Sequence, residues 1–258
     1  MCILFLSVKR HAKYPLIICA NRDEFHQRPT EKMHIWPENN ILAGKDIEAG
    51  GSWLGLSSDG KFSAVTNFRL ATAIAPHKKS RGHLVVGALE QLPDSEALIE
   101  SSISYNGYNL VFGELDALKC FDSINQKTHD IEQGFHSISN GALDDVWPKM
   151  AHGQHLLEQL ISTTVDIQVE QLFALMENQQ KADESELPNT GLEPHWEKLL
   201  SSIFIVSPDY GTRATSILMV DQQGNVEVYD RGYDAQGKVT YAQAFALNAS
   251  TKRFEQTR

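Results

Sequence analysis

Residues 1–8 read MCILFLSV, a thiol directly behind the initiator methionine and then an unbroken apolar run. Ile3 to Val8 is β-prone, and after a polar stretch (KRHAKYP) the residues LIICA predict a second strand and a hairpin. That hairpin carries the chain into a dense polar cluster, NRDE at 21–24. If Met1 is removed, Cys2 begins the chain with a thiol and a free α-amine on one residue. Such an amine has a pKa of roughly 7.7–8.0 and is partly neutral at physiological pH. It can take the thiol proton itself or through a water, which is the N-terminal-nucleophile arrangement.

The chemistry at Cys2 requires a cation near the thiolate, a group to orient the amine, and donors facing an oxyanion. Candidates stand where strands are predicted to end: Arg22 and Asp23, Asn67 and Arg69, Asn140, and Arg213 in YGTR. Each has a plainer reading. Cys2 could be a small hydrophobe in a strand, and Arg22 and Asp23 a solvated or structural charge pair. Asn67 and Asn140 suit turns, Asn140 the more so because Gly141 follows it. Arg213 could merely close a loop. Trp53, after AGGS, reads as a packing or pocket-wall residue. His152 and His155 share a helical face with no third ligand in view, so no metal site is expected.

Farther along, QRPTEKMHIWPENN reads as irregular loop, whereas AGGSWLGL and KFSAVTNF flank the turn SSDG and predict a hairpin. Arg81 to Leu92 reads as a helix ended by Pro93, with Asp94 capping a second. YNLVFGE, LKCFDS, HDIEQG and FHSIS predict short strands. Val146, Met150, Leu157, Leu160 and Ile161 mark one helical stripe, and Val169, Leu172, Phe173 and Met176 another, with Asp166 as its cap. SSIFIVS, TSILMVD, VEVYDR and VTYAQAFAL predict further strands. Hairpin-linked strands with helices segregated in sequence imply an α+β fold built on antiparallel sheets. No Gly-rich strand-to-helix loop marks a dinucleotide or phosphate fold.

The 258 residues carry 41% hydrophobic side chains and a formal net charge of −10, enough for one large domain spanning 1–258. The acidic balance argues against a nucleic-acid or anionic-membrane partner. Three cysteines (Cys2, Cys19, Cys120) with no CxxC spacing argue against disulfides and fit a reducing compartment. Basic residues follow the first apolar run rather than preceding it, so a secretory signal is not expected. No apolar stretch reaches membrane-spanning length. The expected location is the cytoplasm.

MC at the start, NRDE at 21–24, AGGSWLG at 49–55, AVTNFR at 64–69 and RGHLV at 81–85 together resemble the NRDE family, also called the Transport and Golgi organization 2 family. YNGYNLVFGE (105–114), SN at 139–140 with WPK at 147–149, and YGTRATS (210–216) extend the likeness across nearly the whole chain. The resemblance implies an N-terminal-nucleophile-hydrolase-like fold, a four-layer αββα sandwich of two antiparallel sheets flanked by helices. By analogy with choloylglycine and penicillin V acylases it implies that Asn67 looks like an oxyanion-hole residue. Asn140 and Arg213 look like those enzymes' later asparagine and arginine. Their early arginine and aspartate stand three apart, whereas Arg22 and Asp23 here are adjacent.

The first expectation for function is a haem carrier, with a hydrolase and an acyl-CoA or lipid binder as alternatives. The family association implies a haem-trafficking carrier, with Trp36 and Trp53 as walls and Arg22, Asp23, Arg69 and Arg213 in contact with the ligand, the arginines meeting its carboxylates. The residues themselves permit a Cys2-dependent hydrolase of linear amides. An acyl-CoA or lipid binder would use the same cleft. In each case the partner is a small hydrophobic anionic ligand.

Overall fold

The computed structural model describes residues 2–70, 75 and 77–258. The strands are β1 (Cys2–Val8), β2 (Leu16–Phe25), β3 (Thr30–Trp36), β4 (Ile41–Asp46), β5 (Leu54–Ser57), β6 (Lys61–Asn67), β7 (Tyr108–Glu114), β8 (Ala117–Asp122), β9 (Lys127–Asp130), β10 (Gly134–Ile138), β11 (Tyr210–Val220), β12 (Val226–Tyr233), β13 (Val239–Asn248) and β14 (Arg253–Gln256). The helices are α1 (Gly82–Glu90), α2 (Ser95–Ser102), α3 (Pro148–Thr163), α4 (Val169–Met176) and α5 (Pro194–Leu199). One seven-stranded sheet runs β10-β1-β2-β11-β12-β13-β14, the other β3-β4-β5-β6-β7-β8-β9. Every pairing within them is antiparallel.

The unbroken apolar run of β1 is explained by burial on both faces, since successive side chains leave a strand on opposite sides. Leu4, Leu6 and Val8 pair with Ala20, Ile18 and Leu16 of β2 and face the second sheet, where they meet Leu54, Leu56, Phe62 and Val111. Ile3 and Phe5 point the other way, against Met150 and Leu157 of α3 and Leu172 and Phe173 of α4. Gly153 makes that contact possible: a Cβ there would lie 2.1 Å from Phe5 Cζ. On the far side, Val85, Ala88 and Leu89 of α1 and Leu98 of α2 cover Ala43, Val65, Leu110 and Phe112. Helix, sheet, sheet, helix is the resulting order, the αββα sandwich.

Most predicted elements are present, including the β1–β2 and β5–β6 hairpins and the Asp94 cap, whose carboxylate accepts from Ala97 N at 2.8 Å. Six readings need correction. The second strand, read as LIICA, runs on through NRDE to Phe25, so Arg22 and Asp23 lie within it, and HDIEQG, read as a strand, gives only His129 and Asp130 to β9. Residues 30–36, read as loop, form β3, an edge strand whose charged residues are exposed while Met33 and Trp36 are buried. Residues 201–207, read as a strand, form none; their backbone is held from outside, Asn21 Nδ2 donating to Ile203 O at 2.9 Å. Gln168 rather than Asp166 caps α4, through a reciprocal box with Gln171. Val146 lies before α3 and is exposed.

Candidate active site

The four residues of NRDE divide their labour. Asn21 is buried and structural: it donates to Met176 O and Ile203 O, each at 2.9 Å, and accepts from Thr215 Oγ1 at 2.6 Å. Arg22, Asp23 and Glu24 line a cleft of about 370 Å³, together with Cys2, Trp53, Asn67 and Arg81. Cys2 is the Cα partner of Arg22 in the β1–β2 ladder, so both side chains leave the same face at the head of β1. Met1 lies outside the described residues.

Cys2 is half-buried. Burial pushes its thiol up, the Asp23 carboxylate adds to that, and the Arg22 guanidinium and a hydrogen bond from the Asp23 backbone pull it down. Asp23 is 1% exposed and accepts from Thr212 Oγ1 at 2.7 Å. Its carboxyl is raised by burial, against the lowering pull of Lys149 and Thr212. Arg22 stacks on Trp53, its guanidinium carbon 4.5 Å from the ring centroid. Gly44 leaves the space that Trp53 fills, since a Cβ there would sit 2.0 Å from the ring.

Two glycines of the AGGSWLG and RGHLV motifs bring the first turn of α1 to the cleft. A Cβ on Gly51 would come within 2.4 Å of the Gly82 backbone, and Ser52 N donates to Gly82 O at 3.2 Å. Ser80, Arg81 and Gly82 thereby join the lining.

Asn140 and Arg69 stand behind the cleft instead of lining it. Asn140 is fully buried; its Nδ2 donates to Asn67 O at 2.9 Å and its Oδ1 accepts from Arg69 Nη2 at 3.3 Å and Lys149 Nζ at 3.4 Å. Arg69 Nη1 pairs with Glu197 Oε2 at 2.8 Å, and its guanidinium carbon stands 5.0 Å from the centre of the Trp147 ring. Burial, seconded by Arg69, brings the Lys149 ammonium down to about 7. Arg213 occupies the bulge between Thr212 and Ala214 and has no partner on β2, which re-aims its side chain. Nη1 donates to Phe25 O at 3.0 Å and Arg28 O at 2.9 Å, and the residue lines an adjoining space rather than the Cys2 cleft. Trp36, read as a cleft wall, is instead buried against α1, its Nε1 donating to Ala43 O at 3.0 Å.

Lys149 and Glu197 were not singled out as site residues from the sequence. Both are buried charges on amphipathic helices, where a charged side chain ordinarily reads as the solvated face. Among the described residues, no three His, Cys, Asp or Glu side chains come together as a metal site requires.

A two-sheet sandwich with a cysteine at the head of a central strand, opening on a polar cleft, has the form of the N-terminal-nucleophile hydrolases. The chain is similar in fold to a cysteine-to-alanine mutant of conjugated bile acid hydrolase from Clostridium perfringens, with a TM-score of 0.54 at 10% identity, covering 100% of this chain and 97% of that one. An arginine-to-leucine variant of the same hydrolase gives 0.52, again at 10% identity and with the same coverage.

The chain belongs to the Transport and Golgi organisation 2 family, which residues 1–235 match. It is 31% identical to the Transport and Golgi organization 2 homolog of Mus musculus, over 99% of this chain and 96% of that protein. The Bos taurus homolog is also 31% identical, over 90% and 92%. The Drosophila melanogaster protein is 25% identical over 92% and 95%.

Proposed function

We propose that this protein is a cysteine-dependent hydrolase that cleaves a linear amide in the Cys2 cleft. The observation that carries the reading is the placement of Cys2 at the mouth of β1, beside Asp23 and Arg22 and on the same cleft as Asn67. Removal of the residue before Cys2 would free its α-amine next to the Asp23 carboxylate, which orients it. The amine takes the thiol proton, and the thiolate attacks the amide carbonyl carbon, forming a C–S bond. The Asn67 amide faces the resulting oxyanion. Collapse breaks the C–N bond, and the departing amine leaves with the proton held on the α-ammonium. A water then gives its proton to the α-amine and attacks the thioester; the C–S bond breaks, the acid departs, and the thiol regains its proton. The fold shared with a conjugated bile acid hydrolase is consistent with this use of the cleft.

Haem carriage is the second reading. The observation in its favour is a set of cations on the cleft, Arg22, Lys79 and Arg81, suited to two propionates, with Cys2 as an axial thiolate. It ranks lower because a porphyrin needs broad apolar walls, and Trp53 and Val65 are the only large apolar side chains among the described lining residues. An acyl compound with an anionic head would satisfy the same cations and supply the scissile carbonyl. We assign the protein to the cytoplasm, because its three free thiols suit a reducing compartment. No helix among the described residues is long and apolar enough to cross a membrane.

The test is intact-mass analysis of the purified protein before and after incubation with a panel of N-acyl amides. Loss of Met1 and an acyl adduct on Cys2 that is absent from Cys2→Ala support hydrolysis. Retained Met1, or no adduct and no turnover across the panel, overturns it. A saturable Soret shift on haem titration that is lost in Cys2→Ala would favour the carrier instead.

A further inference from the structure

Beside the Cys2 cleft lies a second, smaller space of about 90 Å³, and Arg22 and Trp53 line both. Its other walls come from four strands: Thr30 and Lys32 of β3, Arg213 at the β11 bulge, Tyr233 of β12, and Thr240 and Tyr241 of β13. Three cations therefore converge on it, and among the described residues no carboxylate lines it. Two acids stand behind the wall and bond to its tyrosines, Glu177 to Tyr233 and Asp230 to Tyr241. Asp230 is buried and accepts from Ser216 Oγ at 2.8 Å, and Glu177 accepts from Tyr233 Oη at 3.0 Å. Glu24 lines the larger cleft.

Like charges held together in a fold call for a counter-charge. Arg22 is 4% exposed, and its buried Nη1 has no hydrogen-bond partner among the described residues. A guanidinium N–H left unmatched in a buried setting is costly, and an acceptor within reach removes the cost. Arg213 is destabilised as a cation, first by burial and next by the Arg22 charge. Lys32 is exposed at the rim, its ammonium 5.8 Å from the centre of the Tyr241 ring. Thr240 adds a hydroxyl, while that of Thr30 donates to Arg28 O at 3.2 Å. The space, about 90 Å³, is roomy enough for a small ion or a few waters and too small for a larger ligand's body.

We propose that this side pocket is a subsite for a doubly charged oxyanion, a phosphoryl group, held by Arg22, Arg213 and Lys32. Because Arg22 also faces the Cys2 cleft, a phosphorylated ligand seated here extends past Trp53 toward the thiol. The subsite stands whether or not Cys2 attacks what it holds, so it goes beyond the amide-cleavage reading.

Isothermal titration of the full chain with inorganic phosphate, at fixed ionic strength, tests it directly. The expected result is saturable binding at one site, at least fivefold tighter than acetate. Arg213→Gln should weaken phosphate at least tenfold and Lys32→Gln about threefold. Arg213 also holds two backbone carbonyls, so its variant could lose structure; Lys32→Gln changes an exposed side chain and keeps the test sound. Absence of saturable phosphate binding, or binding unchanged in Lys32→Gln, overturns the subsite. Equal affinity for acetate overturns the assignment to a dianion. The titration involves no reaction at Cys2, so its failure and the failure of amide cleavage are separately visible.

Discussion

Asn140 donates from Nδ2 to the carbonyl of Asn67 at 2.9 Å, tying the segment after β10 in one sheet to the end of β6 in the other. The tie is doubled, because Arg69 N donates to Asn140 O at 2.8 Å. The cleft wall that Asn67 provides is thus fixed from the opposite sheet by a residue that does not line the cleft. Asn140→Ala would remove the partner of the Asn67 carbonyl and take an acceptor from Arg69 and Lys149. We expect a loss of about 2–4 kcal/mol in urea unfolding, given about 1–3 kcal/mol for each buried polar group left unmatched. A loss below the scatter of a surface substitution would show that the tie is dispensable.

Lys149 sets a pH dependence whose sign can be worked out. Its folded pKa, about 7, lies below the unfolded value near 10.4. Between those limits the unfolded chain binds a proton that the folded chain does not, so stability rises with pH across the window. The penalty is complete below pH 7 and gone above the unfolded pKa. Lys149→Met removes this dependence, and the slope of unfolding free energy between pH 7 and 9 should fall by up to about 1.4 kcal/mol per pH unit. Parallel slopes for the two proteins would refute the assignment.

The three thiols should separate by reactivity. Cys19 and Cys120 are fully buried, and burial pushes the Cys19 thiol up to about 12. Cys2 is half-exposed on the cleft. Native protein treated with iodoacetamide should gain one adduct, on Cys2, while urea-unfolded protein gains three. First labelling at Cys19 or Cys120, read by peptide mass, would contradict the packing.

Glycines govern two contacts that can be broken singly. Gly153→Ala puts a methyl group into Phe5, and we expect a cost of about 1–3 kcal/mol from overpacking between α3 and β1. Gly44→Ala drives into the Trp53 ring and should shift it off Arg22, which Trp fluorescence would report. An unchanged emission spectrum in Gly44→Ala would mean that the ring has room to spare.

Sheets were readable wherever side chains alternate cleanly or form apolar runs between turn residues, as in β1, β2, β5 and β6. The misreadings occur where tertiary contacts override local pattern. TEKMHIW looks like loop because β3 lies on an edge, with polar residues outward and only Met33 and Trp36 buried. SSIFIVS looks like a strand because it is buried, yet side chains such as Asn21 and Thr212 satisfy its backbone. At the site, Cys2, Asn67 and Trp53 stand at or beside strand ends as expected, whereas Arg22 and Asp23 lie within β2, which runs on to Phe25; the cleft brings all five together. Lys149 and Glu197 were not nameable, since no local signal separates a buried helical charge from a solvated one. The position of Arg213 depends on a one-residue bulge, which alternation along β11 does not reveal.

The strand bearing Cys2 is paired on one side with its immediate hairpin neighbour and on the other with residues 134–138, far along the chain. During synthesis its second edge therefore stays open until more than a hundred further residues have emerged, on the order of 6–26 s at 5–20 residues per second. For that interval the open edge of β1 is free to pair with other strands, so β10 also guards it against mispairing once the sheet is complete.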